Sequence, residues 1–197
     1  MNPTRGLILA AGASSRMGRP KALLTLGGET FVGRLVRLFA EAGCTPVAVV
    51  VGAGADALAP RLPPSALCVR HPGWAQGMRS SLRAGLLALP PGPVLLTHVD
   101  RPATRPDSLR RLIEASGAHP VVPYLGSRAG HPVLLPDRIR SRLTEPDTTP
   151  LREVLSSLGV QALALDDPGI LLNVNTPAEY ARLAGAHEYG AGPREDT

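Results

Sequence analysis

Short, almost continuously apolar runs alternate along this chain with segments whose apolar residues recur every three or four positions. No other feature constrains the fold as much. Gly6–Ala10, Val47–Val51, Leu67–Val69 and Val94–Val99 read as buried strands. Between them, Phe31, Leu35, Leu38 and Phe39 share one helical face, as do Met78, Leu82, Leu86 and Leu89, and also Leu109, Leu112 and Ile113. A strand that is apolar at every position must be covered on both faces. The pattern therefore predicts an α/β fold with a mostly parallel central sheet between two layers of helices. The second half is more broken, with Pro120–Pro123, a Pro/Arg-rich stretch and a helix around Leu151–Leu158. Gln161–Leu165 and Ile170–Val174 read as late strands. No repeat or linker divides the chain, so residues 1–184 are expected to form one domain and the polar segment 185–197 a flexible tail.

Composition removes several function classes. With 21 Gly and 21 Pro in 197 residues, the chain lies below the range of low-complexity disorder, and 44% hydrophobic residues suffice for a globular core. No apolar run approaches the roughly 18–20 residues of a membrane span, and no signal-type stretch precedes the first strand. Cys44 and Cys68 sit in apolar sequence surroundings and form neither a metal-ligand set nor a disulfide framework, which suits a reduced, cytoplasmic setting. The net charge of +5 is dispersed, and one Trp, three Tyr and two Phe are too few for a base-stacking surface. An anionic small molecule accounts for the charge better than nucleic acid does. Lys21 is the only lysine among 21 basic residues. A position that keeps lysine where all others are arginine is a candidate for chemistry a guanidinium cannot do.

Open parallel sheets bind ligands beyond the carboxyl ends of their strands, so the loops after Ala10, Val51, Val69, Val99 and Val174 carry the information. The first reads Leu9-Ala10-Ala11-Gly12-Ala13-Ser14-Ser15-Arg16-Met17-Gly18-Arg19-Pro20-Lys21. Its small residues let backbone N–H groups approach an anion, and Arg16 and Lys21 add two cations, enough to hold a triphosphate. It is not a Walker A loop, since no G-x-x-x-x-G-K-[ST] occurs. An ordinary glycine-rich turn carrying two surface cations is the structural alternative. The isolated lysine argues against it.

This stretch resembles the L-A-[AG]-G-x-S-x-R-M-G-x-x-K signature of the MobA-like NTP transferases, which act on the molybdenum cofactor and on sugar or polyol phosphates. The resemblance implies a three-layer, Rossmann-like nucleotidyltransferase fold, with the nucleotide held by Leu9, Ala10, Ala11, Gly12, Ser14, Arg16 and Lys21. His71-Pro72-Gly73-Trp74-Ala75-Gln76-Gly77-Met78-Arg79-Ser80-Ser81-Leu82 is similar to the N-P-x-W-x-x-G-M-x-x-S-L stretch of cytidylyltransferase-like members. That similarity adds Gly77 and Ser81 to the nucleotide site, whereas His71 stands where the family usually has Asn. Asp100 in Val99-Asp100-Arg101-Pro102 matches the family's D-x-P aspartate, which implies a Mg²⁺ ligand. One carboxylate with substrate phosphates and waters is chemically sufficient for that ion. Asn175 matches the second metal position of the late motif, with a neutral oxygen in place of a carboxylate. Thr176-Pro177 reads equally as N-cap and first residue of the last helix. Gly130-His131-Pro132 resembles the G-x-P element near the acceptor pocket, implying an acceptor contact for His131.

A rival lies at Gly52-Ala53-Gly54-Ala55-Asp56-Ala57, formally a G-x-G-x-x-A dinucleotide fingerprint after a strong strand, with Arg70 placed to suit NADP. It would make the chain an oxidoreductase. Its place after the second strand rather than the first counts against it. A noncatalytic nucleotide sensor is a third possibility. The preferred reading is transfer of a nucleoside monophosphate to an acceptor phosphate with release of pyrophosphate, with Arg16, Lys21 and Asp100 as catalytic residues. No general base is required, because a phosphate monoester is already anionic. Asn173-Val174-Asn175 resembles guanylyltransferase members and leaves GTP as the alternative nucleotide, but a methyl at Ala11 narrows the space over the base and favours a pyrimidine, hence CTP, with molybdopterin as acceptor. A sugar-1-phosphate or polyol phosphate is the alternative acceptor. The sequence names no delivery partner.

Overall fold

The computed structural model describes residues 2–190, with side chains to residue 186. The chain opens with β1 (Arg5–Ala10), a small hairpin of β2 (Thr25–Leu26) and β3 (Glu29–Thr30), and α1 (Phe31–Glu41). Next come β4 (Val47–Val51), the single turn α2 (Ala55–Leu58), β5 (Ala66–Arg70), α3 (Met78–Ala88), β6 (Val94–His98) and α4 (Pro106–Glu114). The second half contains β7 (Val121–Leu125), β8 (Arg128–Ala129), β9 (Val133–Leu135), α5 (Arg140–Thr144) and α6 (Leu151–Leu158). It closes with β10 (Gln161–Ala164) and α7 (Pro177–Gly190). Residues 185–190, placed in a tail by the sequence, thus continue the last helix, while 191–197 lie outside the described residues.

The layers follow from the two faces of β1. Leu7 and Leu9 enter one apolar cluster with Leu82 and Leu86 of α3, Leu143 of α5 and Leu155 of α6. Ile8 and Ala10 enter the other, with Phe31, Leu35 and Phe39 of α1 and Leu109 and Leu112 of α4. Both faces are therefore sealed, as the unbroken apolar runs require. Neighbouring strands run in the order β10-β7-β9-β6-β1-β4-β5, with β8 added to β7. β1 pairs in parallel with β4 and β6, and β4 with β5, while β9 is inserted antiparallel between β6 and β7. This is the mostly parallel, three-layer arrangement predicted. Among the described residues no helix is long and apolar enough to cross a membrane.

Two local expectations are corrected. Ile170–Val174 is not a strand: Pro168–Ile170 forms a 3-10 turn, and Val174 makes a single backbone bond to the Asp100 carbonyl, 2.8 Å. The ladder beside β6 is already filled by β1 on one side and β9 on the other. Leu67–Val69 is a strand but not a buried one: it lies in β5 at the edge of the sheet, where Leu67 and Cys68 are exposed, whereas Cys44 is buried and its thiol is pushed up to about 12 by burial.

The turn at Pro168–Ile170 is held tightly. The buried Asp167 carboxylate accepts hydrogen bonds from the Gly169 N–H, the Arg105 N–H and the Ser108 hydroxyl. A Cβ on Gly169 would lie 2.1 Å from the Ala103 carbonyl oxygen, a backbone atom that cannot rotate away. Gly169→Ala should therefore destabilise the chain by about 1–3 kcal/mol through overpacking. A thermal melt would register this as a fall of roughly 2–4 °C per kcal/mol. An unchanged melting temperature would show that the Ala103 segment yields freely.

Candidate active site

The loop leaving β1 is shaped by two left-handed residues, Ser14 (φ 53°) and Gly18 (φ 66°), flanking the 3-10 turn Ser15–Met17. Buried Met17 anchors it, and the Ser14 hydroxyl accepts a hydrogen bond from the Lys21 N–H at 3.1 Å, closing the loop. At Gly12 nothing occupies the space a Cβ would take, so the backbone faces an open cleft. Gly12, Ser14, Arg16, Lys21, His98 and Asp100 line that cleft, with Leu9 and Ala10 at its base. It sits over the carboxyl ends of β1 and β6, where an open parallel sheet leaves room for a ligand.

Three side chains from distant parts of the chain converge here. The Lys21 Nζ donates to Asn175 Oδ1 at 2.6 Å and to Asp100 Oδ2 at 3.2 Å. The side chains of Lys21 and Asp100 are only 13% and 23% exposed, so the contact is partly shielded from water. Asn175 is brought there by the Val174–Asp100 backbone bond and by a reciprocal cap. The Glu179 carboxylate accepts from the Asn175 and Thr176 N–H groups, and the Thr176 hydroxyl accepts from the Glu179 N–H. Those N–H groups, Asn175 first, hold the Glu179 carboxyl below its usual range. Thr176 is thus the N-cap expected from Thr-Pro, and the cap also fixes the neighbouring amide.

Asp100 and Asn175 present two oxygens to one cationic nitrogen, so the pair can share a cation, and a hard divalent ion held by both would take the place the Lys21 ammonium has here. Among the described residues no three His, Cys, Asp or Glu gather as a metal cluster. Such an ion would have to complete its shell from substrate oxygens and water.

A second cavity adjoins the first. Ala11, Trp74, Gly77, Met78, Ser81 and His98 line it, so the sequence-selected Ala11, Gly77 and Ser81 come together there. Gly77 adopts φ 101°, a conformation that disfavours any side chain, and starts α3 at the cavity edge. Gly52 is needed for Trp74: a Cβ there would meet Trp74 Cβ at 2.5 Å and the Ala11 carbonyl at 2.7 Å. Arg70 pairs with Asp56 at 2.6 Å. Residues of the G-x-G-x-x-A segment thus have packing roles, and Ala53 lines the phosphate-loop cleft. His71, at the position usually Asn, bonds the Ser80 hydroxyl at 2.9 Å.

The third cavity is the roomiest, about 1240 Å³ counting its open mouth against about 730 Å³ for each of the others. His131 lies in it, apart from the Lys21 cluster, with Met78, His98, Arg101, Tyr124 and Arg152. His98 touches all three cavities, and its ring meets that of His131 edge-on at 5.2 Å. Burial lowers both imidazoles, His131 to about 3. No local sequence signal marks His98, which ends an apolar strand run.

The sequence pattern of the MobA-like NTP transferase domain matches residues 6–163. The chain belongs to this family. Membership makes it a nucleotidyltransferase by family. The molybdenum cofactor cytidylyltransferase of Escherichia coli K12 is 25% identical over 88% of this chain and 92% of its own length. The nicotine blue oxidoreductase of Paenarthrobacter nicotinovorans is 39% identical over 112 residues, which span 55% of this chain and 54% of that protein. Among solved structures, Rv0371c of Mycobacterium tuberculosis H37Rv superposes with a TM-score of 0.81 at 25% identity, covering 94% of this chain and 99% of that one. Rv0371c has also been crystallised in complex with manganese.

Proposed function

We propose that this transferase moves a cytidylyl group from CTP to the phosphate of molybdopterin. The observation that carries the reading is the Lys21 ammonium bridging Asp100 and Asn175 inside the cleft built by the glycine-rich loop. In the reaction an acceptor phosphate oxygen forms a bond to the α-phosphorus of the nucleotide. The bond from that phosphorus to the bridging oxygen breaks, and pyrophosphate leaves with the electron pair. The backbone around Gly12 and the side chains of Arg16 and Lys21 hold the triphosphate and stabilise the charge that grows on the leaving group. Asp100 and Asn175 would hold Mg²⁺, which when bound supplies positive charge to the phosphate oxygens. Ala11, Gly77 and Ser81 border the base and ribose. The methyl of Ala11, which lines the second cavity with Trp74, favours the smaller pyrimidine. His131 contributes to the acceptor pocket.

A second reading has one observation in its favour, the oxidoreductase among the relatives. A single screen separates the two. Purified protein is given each of four nucleoside triphosphates with molybdopterin or sugar phosphates, read by pyrophosphate release, and separately NADPH, read by absorbance. Pyrophosphate release with CTP and molybdopterin is expected. Turnover with GTP alone would overturn the CTP assignment, and NADPH oxidation without pyrophosphate release would replace transfer with redox chemistry.

A further inference from the structure

Arg101 follows Asp100 in the chain, yet the two side chains line different cavities: Asp100 the phosphate-loop cleft, Arg101 the roomy third one. We propose that Arg101, with Arg152 of the same pocket, grips the phosphate of the acceptor, which makes the third cavity a site for phosphate monoesters. The inference rests on the transferase reading and deepens it, because it names the group that holds the nucleophile.

A guanidinium carries five N–H donors. That of Arg101 is half-buried, and its one side-chain hydrogen bond among the described residues is a long one, from Nη1 to the Ile170 carbonyl at 3.4 Å. Most of its donor capacity is therefore available in a partly desolvated place, where an anion is bound more strongly than in water. No Asp or Glu lines this cavity among the described residues. Its acidic neighbour in the chain, Asp100, lies across the cavity boundary. Arg152, in the first turn of α6, is exposed and makes no ion pair among the described residues.

The remaining lining supports the same ligand. The imidazoles of His98 and His131 line the same cavity and add ring nitrogens to it. Val122, Val133, Leu155 and Val160 form an apolar surface for the body of the acceptor. Planar guanidinium forks match phosphate oxygens in pairs, and one such grip next to Asp100 brings the nucleophile to the boundary that His98 shares between cavities.

The test uses the full chain, with steady-state kinetics on CTP and molybdopterin and with inorganic phosphate as an inhibitor competing with the acceptor. Arg101→Gln should raise KM for the acceptor and Ki for phosphate together by about 10- to 100-fold, leaving KM for CTP unchanged. Arg101→Lys should recover part of both losses, and Arg152→Gln should reproduce them more weakly. If Arg101→Gln folds poorly, the Lys and Arg152 variants carry the comparison. An acceptor KM and phosphate Ki that stay at wild-type values, or a loss that falls on KM for CTP instead, would overturn the assignment. Calorimetric titration of inorganic phosphate into wild-type and Arg101→Gln protein, both saturated with CTP so that the Arg16–Lys21 cleft is filled, needs no turnover. A wild-type chain that binds phosphate through Arg101 but transfers no nucleotide would defeat the transferase reading alone. Equal phosphate binding by both proteins would defeat the arginine.

Discussion

Lys21→Arg is expected to lower kcat by about 10²–10³, or roughly 2.7–4 kcal/mol of transition-state stabilisation, with the melting temperature unchanged. The composition supplies the contrast, since every other basic residue of the chain is already arginine. An ordinary surface cation would accept the exchange silently. Lys21 instead places one nitrogen 2.6 Å from Asn175 Oδ1 and 3.2 Å from Asp100 Oδ2. A guanidinium is wider and planar, and it spreads its charge over three nitrogens, so it cannot occupy that point without displacing one partner. The loss should appear in kcat rather than in KM for the nucleotide if the contact strengthens as charge develops on the leaving pyrophosphate. Steady-state kinetics with varied nucleotide check this, and an arginine variant with wild-type kcat and KM would remove Lys21 from the reaction.

Asp100→Asn should abolish divalent-cation-dependent turnover while leaving the fold intact. The substitution keeps the shape and one oxygen of the side chain but removes the only formal negative charge in the Lys21–Asp100–Asn175 cluster. A neutral amide pair at positions 100 and 175 would offer a hard cation too little attraction. Stability should fall only modestly, because the shielded Lys21 ammonium keeps two amide oxygens as acceptors, Asn175 Oδ1 and that of the substituted side chain. Pyrophosphate release measured across Mg²⁺ and Mn²⁺ concentrations, alongside a melt, tests both halves. Retained rate with unchanged cation dependence would take Asp100 out of the metal site. A large fall in melting temperature would instead mark it as structural.

Which parts of this protein the sequence determined alone can be seen on β1. Leu7, Ile8, Leu9 and Ala10 are all apolar, and a strand with no polar face has only one kind of home, a sheet covered on both sides. The same local logic placed α1, α3 and α4 and made Thr176 an N-cap, because helix period and capping are written within a few residues. Local pattern failed at Ile170–Val174, where the residues suit a strand but both flanks of β6 were already taken by β1 and by an antiparallel β9. Strand pairing is a competition among distant segments, and no window of sequence contains the competitors. The site divides in the same way. Its isolation among arginines marked Lys21, and the family resemblance marked Asp100 and Asn175, but their contacts span 79 and 154 positions of chain. Only the parallel register of β1 and β6, with the Val174–Asp100 bond, decides that these three side chains meet. The places of His98 and Arg101 are decided in the same way. A histidine ending an apolar strand and one arginine among many carry no local signal, and their places were decided by which cavities the packed layers leave open at the sheet's carboxyl edge.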